Sequence, residues 1–283
     1  MAGAGTLETI LDGLTFGEGP RWHDGRLWFS DFYTYSVIAM DPAGRTETMA
    51  TVPQQPSGLG WMPDGTLLVV SMLDQKLMKR VGGRLVQHAD LSAHARGPCN
   101  DMVVDAKGRA WVGNFGFDLF GGEAARTTCI VRVDPDGTVT RAADELAFPN
   151  GTIVTPDGRT LVIGETRGNR LTAFDIAADG ALSNRRVWAQ FDDVFPDGIC
   201  LDAEGAIWVA DPRGRRVVRV FEGGRIDSVI ELVDRGAYAC MLGGDDRRTL
   251  YVVTNSASGP NVAAAKSGRI EAMRVDVPGA GLP

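Results

Sequence analysis

A short turn followed by an apolar strand recurs six times along the 283 residues, and this repeat restricts the fold more than any other feature. In five copies the turn ends in a glycine, whereas the sixth copy, at Asp245–Arg247, lacks it. The apolar runs are centred 40 to 50 residues apart, on Trp28, Leu68, Trp111, Leu161, Trp208 and Leu250. A period of this length, built from several short strands, is typical of a β-propeller.

The repeat therefore predicts an all-β protein, a six-bladed β-propeller with four-stranded blades around a central channel. We expect a single domain over residues 1–283, because the sequence contains no linker, no low-complexity stretch and no long amphipathic helix. The segment Thr6–Leu11 has the pattern of an additional strand. Such a strand could complete the last blade and close the ring without an exposed edge.

The composition argues against polyanionic partners. A net charge of −7 and a pI near 5.1 do not favour nucleic acid or an anionic membrane surface. Residues Met1–Leu14 lack the basic and apolar regions of a secretion signal, and no apolar run is long enough for a membrane helix. The cysteines form no CxxC pair and lie far apart, at Cys99, Cys129, Cys200 and Cys240. We expect a cytoplasmic protein with free thiols, while two disulfides in an exported protein remain the alternative.

The candidate functional residues follow from counting within the repeat. In a propeller, the loops that enter the innermost strands converge on one end of the channel, so residues at one repeat position meet there. Eight residues before the turn glycine, or seven in the first blade, stand Glu18, Ser57, Asn100, Asn150 and Asp197. The same count in the sixth copy reaches Ala239. We predict that these positions surround the channel.

Three of these positions form a candidate metal site. Glu18, Asn150 and Asp197 stand in similar short motifs, Phe-Gly-Glu-Gly-Pro, Phe-Pro-Asn-Gly and Phe-Pro-Asp-Gly. Turn formation is the alternative interpretation of Asn-Gly and Asp-Gly, but it gives no reason for three oxygen-bearing side chains at related positions. Hard cations prefer such carboxylate and amide oxygens, so the sequence predicts one divalent cation in the channel. The absence of histidine and cysteine from the set favours Ca²⁺, and Mg²⁺, Mn²⁺, Fe²⁺ and Zn²⁺ stay open.

These short motifs resemble those of the SMP-30/gluconolactonase family, which includes regucalcin. The resemblance rests on Glu18-Gly19-Pro20, Asn100-Asp101, Asn150-Gly151 and Pro196-Asp197-Gly198, spread over the whole chain. It implies a six-bladed, metal-dependent lactonase with ligands at Glu18, Asn150 and Asp197, and with Asn100 as a substrate contact or a further ligand. Sugar-lactone members have an arginine two residues before this asparagine, where this chain has Pro98. That departure does not favour an aldonolactone substrate.

A mechanism with two catalytic residues, Asn100 and Asp197, fits this site. A cation can polarise a lactone carbonyl and lower the pKa of water. We expect the amide of Asn100 to stabilise the developing oxyanion, and Asp197, or a water activated by the ion, to deliver the attack. Asp101 is a further candidate, which could orient Asn100 or contact the substrate, with turn capping as the alternative.

Aromatic residues are predicted to bind the substrate. Tyr33 and Tyr238 lie in loops that could line the channel mouth, with ordinary packing as the alternative. Phe117 belongs to the glycine-rich, aromatic stretch Asn114–Gly122, which could form a lid over the channel. These residues favour a lactone or ester that is less polar than a sugar.

Other functions remain compatible with the same fold. The site could also serve a phosphotriester or aryl-ester hydrolase, or a lyase or isomerase that stabilises an enolate. A non-catalytic, calcium-binding propeller is the alternative from another class. The sequence contains no GxSxG motif, no Walker-type loop and no GxGxxG after a strand, which argues against serine hydrolases and nucleotide enzymes. It does not indicate the oligomeric state.

Overall fold

The computed structural model describes residues 6–282, in which six antiparallel four-stranded sheets form the blades of a propeller. The strands are numbered in chain order, and the first is β1 (Glu8–Leu14). Blade 1 contains β2 (Gly17–His23), β3 (Arg26–Asp31), β4 (Ser36–Met40) and β5 (Thr46–Thr51), and blade 2 contains β6 (Pro56–Trp61), β7 (Leu67–Ser71), β8 (Lys76–Val81) and β9 (Arg84–Asp90). Blade 3 contains β10 (Cys99–Val104), β11 (Ala110–Asn114), β12 (Thr128–Val133) and β13 (Val139–Leu146). The second half contains β14 (Pro149–Val154), β15 (Thr160–Glu165), β16 (Arg170–Ile176) and β17 (Leu182–Gln190) for blade 4, β18 (Ile199–Leu201), β19 (Ile207–Asp211), β20 (Arg216–Val220) and β21 (Ile226–Glu231) for blade 5, and β22 (Gly236–Gly243), β23 (Thr249–Asn255) and β24 (Gly268–Arg274) for blade 6. The predicted all-β, six-bladed architecture is confirmed.

Strand β1 closes the ring. It is the outermost strand of blade 6 and pairs antiparallel with β24, with Glu8 opposite Ala272 and Thr9 opposite Glu271. The expected closing strand is therefore confirmed, although it begins two residues later than predicted and ends at Leu14. Blade 6 thus combines strands from both ends of the described chain, which leaves no unpaired edge on β24.

The hydrophobic core is divided among the interfaces between neighbouring blades. One cluster joins blades 2 and 3, for example through Leu77 and Met102, and another joins blades 4 and 5 through Ile153 and Val209. Corresponding clusters fill the remaining interfaces. Each sheet buries both faces in this way, and this explains why second strands such as β7 are apolar and buried throughout.

A further cluster of aromatic and aliphatic side chains lies at one end of the channel. It contains Phe16, Phe32, Met72, Phe115, Phe117, Phe148, Tyr238 and Val262. The two short helices are a 3₁₀ turn at Phe32–Thr34 and α1 at Val262–Ala265. Within residues 6–282 no helix has the length and apolar character needed to cross a membrane. All four cysteines are buried free thiols.

Candidate functional site

A cavity of about 280 Å³ lies at this end of the channel and is lined by four of the six residues found by counting. The other two, Ser57 and Ala239, are buried and do not line it. Glu18, Asn100, Asn150 and Asp197 all line it. They sit at the starts of four different innermost strands or just before them, in blades 1, 3, 4 and 5. A larger groove of about 660 Å³ runs between blades 5 and 6 and contains none of the predicted residues. The central cavity is therefore the candidate site, whereas the roles predicted for its residues stay predictions.

The innermost strands bend where they carry these residues. The regular pairing of β2 with β3 is interrupted between Glu18 and Arg21, and that of β14 with β15 between Pro149 and Thr152. The innermost strands of blades 2, 3 and 6 are interrupted at the same place. A local irregularity of this kind changes the direction of a side chain without ending the strand. In blades 1, 3, 4 and 6 a residue at the bend lines the cavity, whereas no residue of blade 2 does, and Asp197 of blade 5 lines it just before the regularly paired β18.

The glycines after the site residues allow the innermost strands to approach each other. A Cβ atom on Gly151 would lie 2.5 Å from the carbonyl oxygen of Asp197, and one on Gly198 would lie 2.6 Å from the Cα of Ala239. The Gly151 N–H donates to the Asp197 carbonyl at 3.1 Å, and the Gly198 N–H donates to the Tyr238 carbonyl at 2.8 Å. Because Asn150 and Gly151 lie inside β14, the turn interpretation of this pair is wrong.

Two buried carboxyl groups, those of Glu18 and Asp197, form the floor of the cavity, and within residues 6–282 neither forms an ion pair with a protein cation. Burial raises the pKa of Glu18 well above its usual value, and the nearby Asp197 and Asp101 carboxylates raise it further. Burial also raises the pKa of Asp197 well above its usual value, against the opposing effect of the Asn150 amide. The buried Arg21 lies 2.5 Å from Asp101 and is committed to that carboxylate. Glu18 and Asp197 are left as a pair of carboxylates that suits one divalent cation.

Unpartnered polar atoms in the cavity support the same conclusion. Within residues 6–282, Asp197 Oδ1 and Asn100 Nδ2 are buried and have no hydrogen-bond partner. A buried carboxylate oxygen without a partner is costly, and a bound cation removes that cost. No group of three histidine, cysteine or acidic residues surrounds a common point in the described part of the chain. A cation here would need an amide oxygen as its third protein ligand, which Asn150 can supply.

Thr166, which the sequence analysis did not single out, orients Asn150. The Thr166 hydroxyl donates to the Pro196 carbonyl at 2.6 Å, and its oxygen accepts from Asn150 Nδ2 at 3.3 Å. Because the hydroxyl proton is already used, Thr166 can only accept from the amide. The amide nitrogen of Asn150 is therefore held on Thr166, and its oxygen is available to the cavity.

Asp101 lies behind the site. Its carboxylate accepts from Arg21 Nη2 and from the Met102 N–H, and it is absent from the cavity wall. Arg21 also donates to the carbonyls of Leu59 at 3.1 Å and Met102 at 2.6 Å. The pair therefore ties together the innermost strands of blades 1, 2 and 3. The structure shows Asp101 in this structural contact, and its substrate-binding role stays a prediction.

Aromatic side chains form the wall of the cavity. Tyr33 and Tyr238 both line it, and burial, followed by the charge of Asp197, raises the pKa of Tyr238 to about 12. The stretch Asn114–Gly122 contributes Phe115 and Phe120 among other residues. Phe117 of the same stretch is buried against Phe148, with ring centroids 5.8 Å apart, and does not line the cavity. This position makes Phe117 a support for the wall in the conformation described.

A second set of polar residues anchors the loops that lead into the site, and the sequence analysis missed it. The Asp31 carboxylate accepts from the Phe16 N–H at 2.8 Å, and the Glu165 carboxylate accepts from the Ala147 N–H at 2.7 Å. Asn114 and Asp211 hold the equivalent loops of blades 3 and 5. Each anchor ends a second strand. A polar residue directly after each apolar run was the signal that could have revealed them.

Comparisons with known proteins agree with this description. The sequence model of the SMP-30/Gluconolactonase/LRE-like region matches residues 16–256. A 6-deoxy-6-sulfogluconolactonase of Pseudomonas putida is 27% identical over 280 residues, which cover 94% of each protein. A pentonolactonase of Haloferax volcanii is 30% identical over 272 residues, covering 91% of this chain and 88% of the relative. The solved structure of a calcium-binding regucalcin from Agrobacterium tumefaciens superposes with a TM-score of 0.81 at 24% identity, covering 99% of this chain and 96% of the other, and shows the same fold.

Proposed function

Because this chain belongs to the SMP-30/Gluconolactonase/LRE-like family, we propose that it hydrolyses a lactone in the central cavity with the help of one divalent cation. The observation that carries the proposal is the pair of buried carboxyl groups, Glu18 and Asp197, which form no ion pair within residues 6–282 and leave Asp197 Oδ1 without a hydrogen-bond partner there. The lactonase names of the two relatives support lactones as the substrate class.

Glu18, Asn150 and Asp197 would hold the cation through their side-chain oxygens. Ca²⁺ fits this all-oxygen set best, since Zn²⁺ usually takes histidine or cysteine ligands. Once bound, the cation would polarise the lactone carbonyl and lower the pKa of a water molecule. The orientation of Asn150 by Thr166 would keep its amide oxygen on the ligand side.

Asn100 and Asp197 would act on the substrate. The unpartnered Asn100 Nδ2 can donate a hydrogen bond to the oxygen on which negative charge develops. If the cation binds Asp197 Oδ1, the second carboxylate oxygen, Oδ2, can accept a proton from the attacking water. The hydroxyl of Tyr238, protonated at neutral pH, can donate to the same substrate from blade 6.

The cavity wall favours a substrate with an apolar part. Phe115, Phe120 and Tyr33 line the cavity beside the polar floor. Pro98 occupies the position where sugar-lactone members carry an arginine, and the nearby Arg96 is absent from the cavity wall. For this chain we therefore propose a lactone less rich in hydroxyl groups than the sugar lactones after which the two relatives are named.

The test is removal of either carboxylate. We expect D197A and E18Q each to lower metal-dependent lactone hydrolysis by at least about a hundredfold, because D197A removes a ligand and E18Q replaces a charged ligand with a neutral amide. Hydrolysis is followed by acid release, cation binding by calorimetry, and folding by circular dichroism. The matched control is D12N, which removes one charge from the exposed outer strand β1.

Three outcomes of this experiment would contradict the proposal. If both variants kept the parent rate, the site assignment would be wrong. Cation binding by the parent without turnover of any lactone would indicate a non-catalytic calcium-binding propeller. Release of a phenol or fluoride from aryl esters or phosphotriesters, without lactone opening, would assign the site to the other hydrolase class.

A further inference from the structure

Blades 4 and 5 carry similar sequence motifs in the loops after their second strands. Glu165–Arg170 reads Glu-Thr-Arg-Gly-Asn-Arg, and Asp211–Arg216 reads Asp-Pro-Arg-Gly-Arg-Arg. Both motifs begin with a loop anchor and have an arginine at the third and at the sixth position, and the blade 5 motif has a further arginine, Arg215, at the fifth. In a propeller, equivalent loops of adjacent blades lie side by side at the same end of the channel. The two motifs therefore place their arginines in neighbouring loops next to the site.

The arginine at the sixth position of each motif, Arg170 or Arg216, is structural. Arg170 Nε donates to the Glu165 carboxylate at 2.9 Å, and Arg216 Nε donates to the Asp211 carboxylate at 3.0 Å. Both carboxylates are fully buried, so these arginines balance charges that the loop anchors bring into the interior. Arg170 and Arg216 are thus used within the protein.

The arginine at the third position of each motif, Arg167 or Arg213, makes different contacts. Arg167 and Arg213 both line the cavity and are exposed to solvent, which places them at its mouth. Arg167 stacks on the Phe117 ring at 5.4 Å, and Arg213 stacks on the Phe195 ring at 4.6 Å. Within residues 6–282, neither guanidinium is paired with a carboxylate, in contrast to Arg170 and Arg216. Stacking fixes the plane of a guanidinium and leaves its N–H groups free for an oxyanion.

The charge balance of the cavity favours an anion at these arginines. The acidic residues that line the cavity are Glu18 and Asp197, both on its floor. A divalent cation would neutralise this pair, so the mouth would keep the two positive charges of Arg167 and Arg213. The cavity therefore has three parts. Its floor is formed by Glu18 and Asp197, its wall is aromatic, and its mouth is formed by Arg167 and Arg213.

We infer that the substrate is a lactone with an anionic arm, in which the lactone ring lies on the cavity floor and a carboxylate, sulfonate or phosphate group binds Arg167 and Arg213. The apolar wall formed by Phe115, Phe120 and Tyr33 would contact the part of the molecule between these ends. This inference rests on the proposed lactonase function and adds a substrate class to it. Arginine suits such an arm because its planar donors match the oxygens of an oxyanion.

The kinetic test compares two lactones that differ in one charge, γ-phenyl-γ-butyrolactone and its para-carboxyphenyl analogue. We expect kcat/KM to be higher for the carboxylated lactone, and the R167Q/R213Q double variant to lower the ratio of the two kcat/KM values at least about tenfold. The matched control is R215Q, in the same loop of blade 5 but outside the cavity wall, which should leave the ratio unchanged. An unchanged ratio in R167Q/R213Q would overturn the inference.

A binding test separates this inference from the proposed function. The probes are the two γ-lactams that correspond to these lactones, which resist hydrolysis, and calorimetry measures their Kd. Tighter binding of the carboxylated lactam by the parent but not by R167Q/R213Q would support the anion site, even if no lactone were hydrolysed and the proposed function failed. Equal binding of both lactams, together with efficient hydrolysis of the neutral lactone, would overturn the anion site and leave the proposed function standing.

Discussion

The polar side chains in and behind this cavity differ in whether their hydrogen bonds are satisfied within the protein. Asp197 Oδ1 and Asn100 Nδ2 are buried without hydrogen bonds, while the neighbouring Asp101 is satisfied by Arg21 and the Met102 N–H. The contrast separates residues available to a cation and a substrate from a residue committed to the fold. Asn150 lies between these cases, because Thr166 fixes its nitrogen and frees its oxygen.

The role of Thr166 leads to a prediction at the residue scale. T166V keeps the shape of the side chain but removes the acceptor for Asn150 Nδ2, so the amide can rotate away from the cation. We expect calorimetry to show cation binding weakened about 10- to 100-fold. T166S, which keeps the hydroxyl, should bind the cation nearly as the parent does. Equal affinity in T166V would show that Thr166 does not orient a ligand.

At the scale of strands and loops, the blades could be predicted from the sequence, because turn glycines and apolar runs are local signals. Counting from the turns also identified Glu18, Asn100, Asn150 and Asp197, since a repeat position specifies a place in a propeller. The Arg21–Asp101 pair could not be found in this way. It joins residues 80 positions apart in different blades, and no repeat position relates them. The position of Phe117 behind the cavity wall could not be found either, because the irregular loop that carries it has no counterpart in other blades, and its substrate contact stays a prediction.

The loop anchor Glu165 gives a prediction at the same scale. Burial alone would raise its pKa, but hydrogen bonds from Arg170, the Ala147 N–H and Thr172 outweigh burial and lower the pKa below 4.5. A lowered folded-state pKa stabilises the protein above the usual value and loses this contribution as pH falls through the folded value. We expect E165Q to lower the free energy of unfolding by about 1–3 kcal/mol at pH 7.

Denaturant unfolding between pH 7 and pH 3 checks this prediction for Glu165. The difference between parent and E165Q should shrink as the pH falls below about 4.5, because protonation removes the same charge from the parent. The matched control is E47Q, which removes an exposed carboxylate paired with Arg26 and should change stability little. A pH-independent difference between parent and E165Q would contradict the assigned charge.

The whole molecule is a ring whose blades share one plan but differ at the position that faces the channel. The side chains that face the cavity are a carboxylate, two amides and a second carboxylate from blades 1, 3, 4 and 5, with Tyr238 from blade 6. The common plan explains why residues 18 and 197 meet despite their separation in sequence. That one cooperative domain covers residues 1–283 stays a prediction.

The charge of the hub is the central claim at this scale. Two buried carboxylates without a protein cation are stable together only if a cation joins them or if protons neutralise them. The most direct measurement is a crystal structure of the parent grown with Ca²⁺, with anomalous scattering used to locate the ion. We predict one ion in the channel, with oxygens of Glu18, Asn150 and Asp197 at about 2.3–2.6 Å. An ion-free channel, or an ion bound only elsewhere on the ring, would contradict the account.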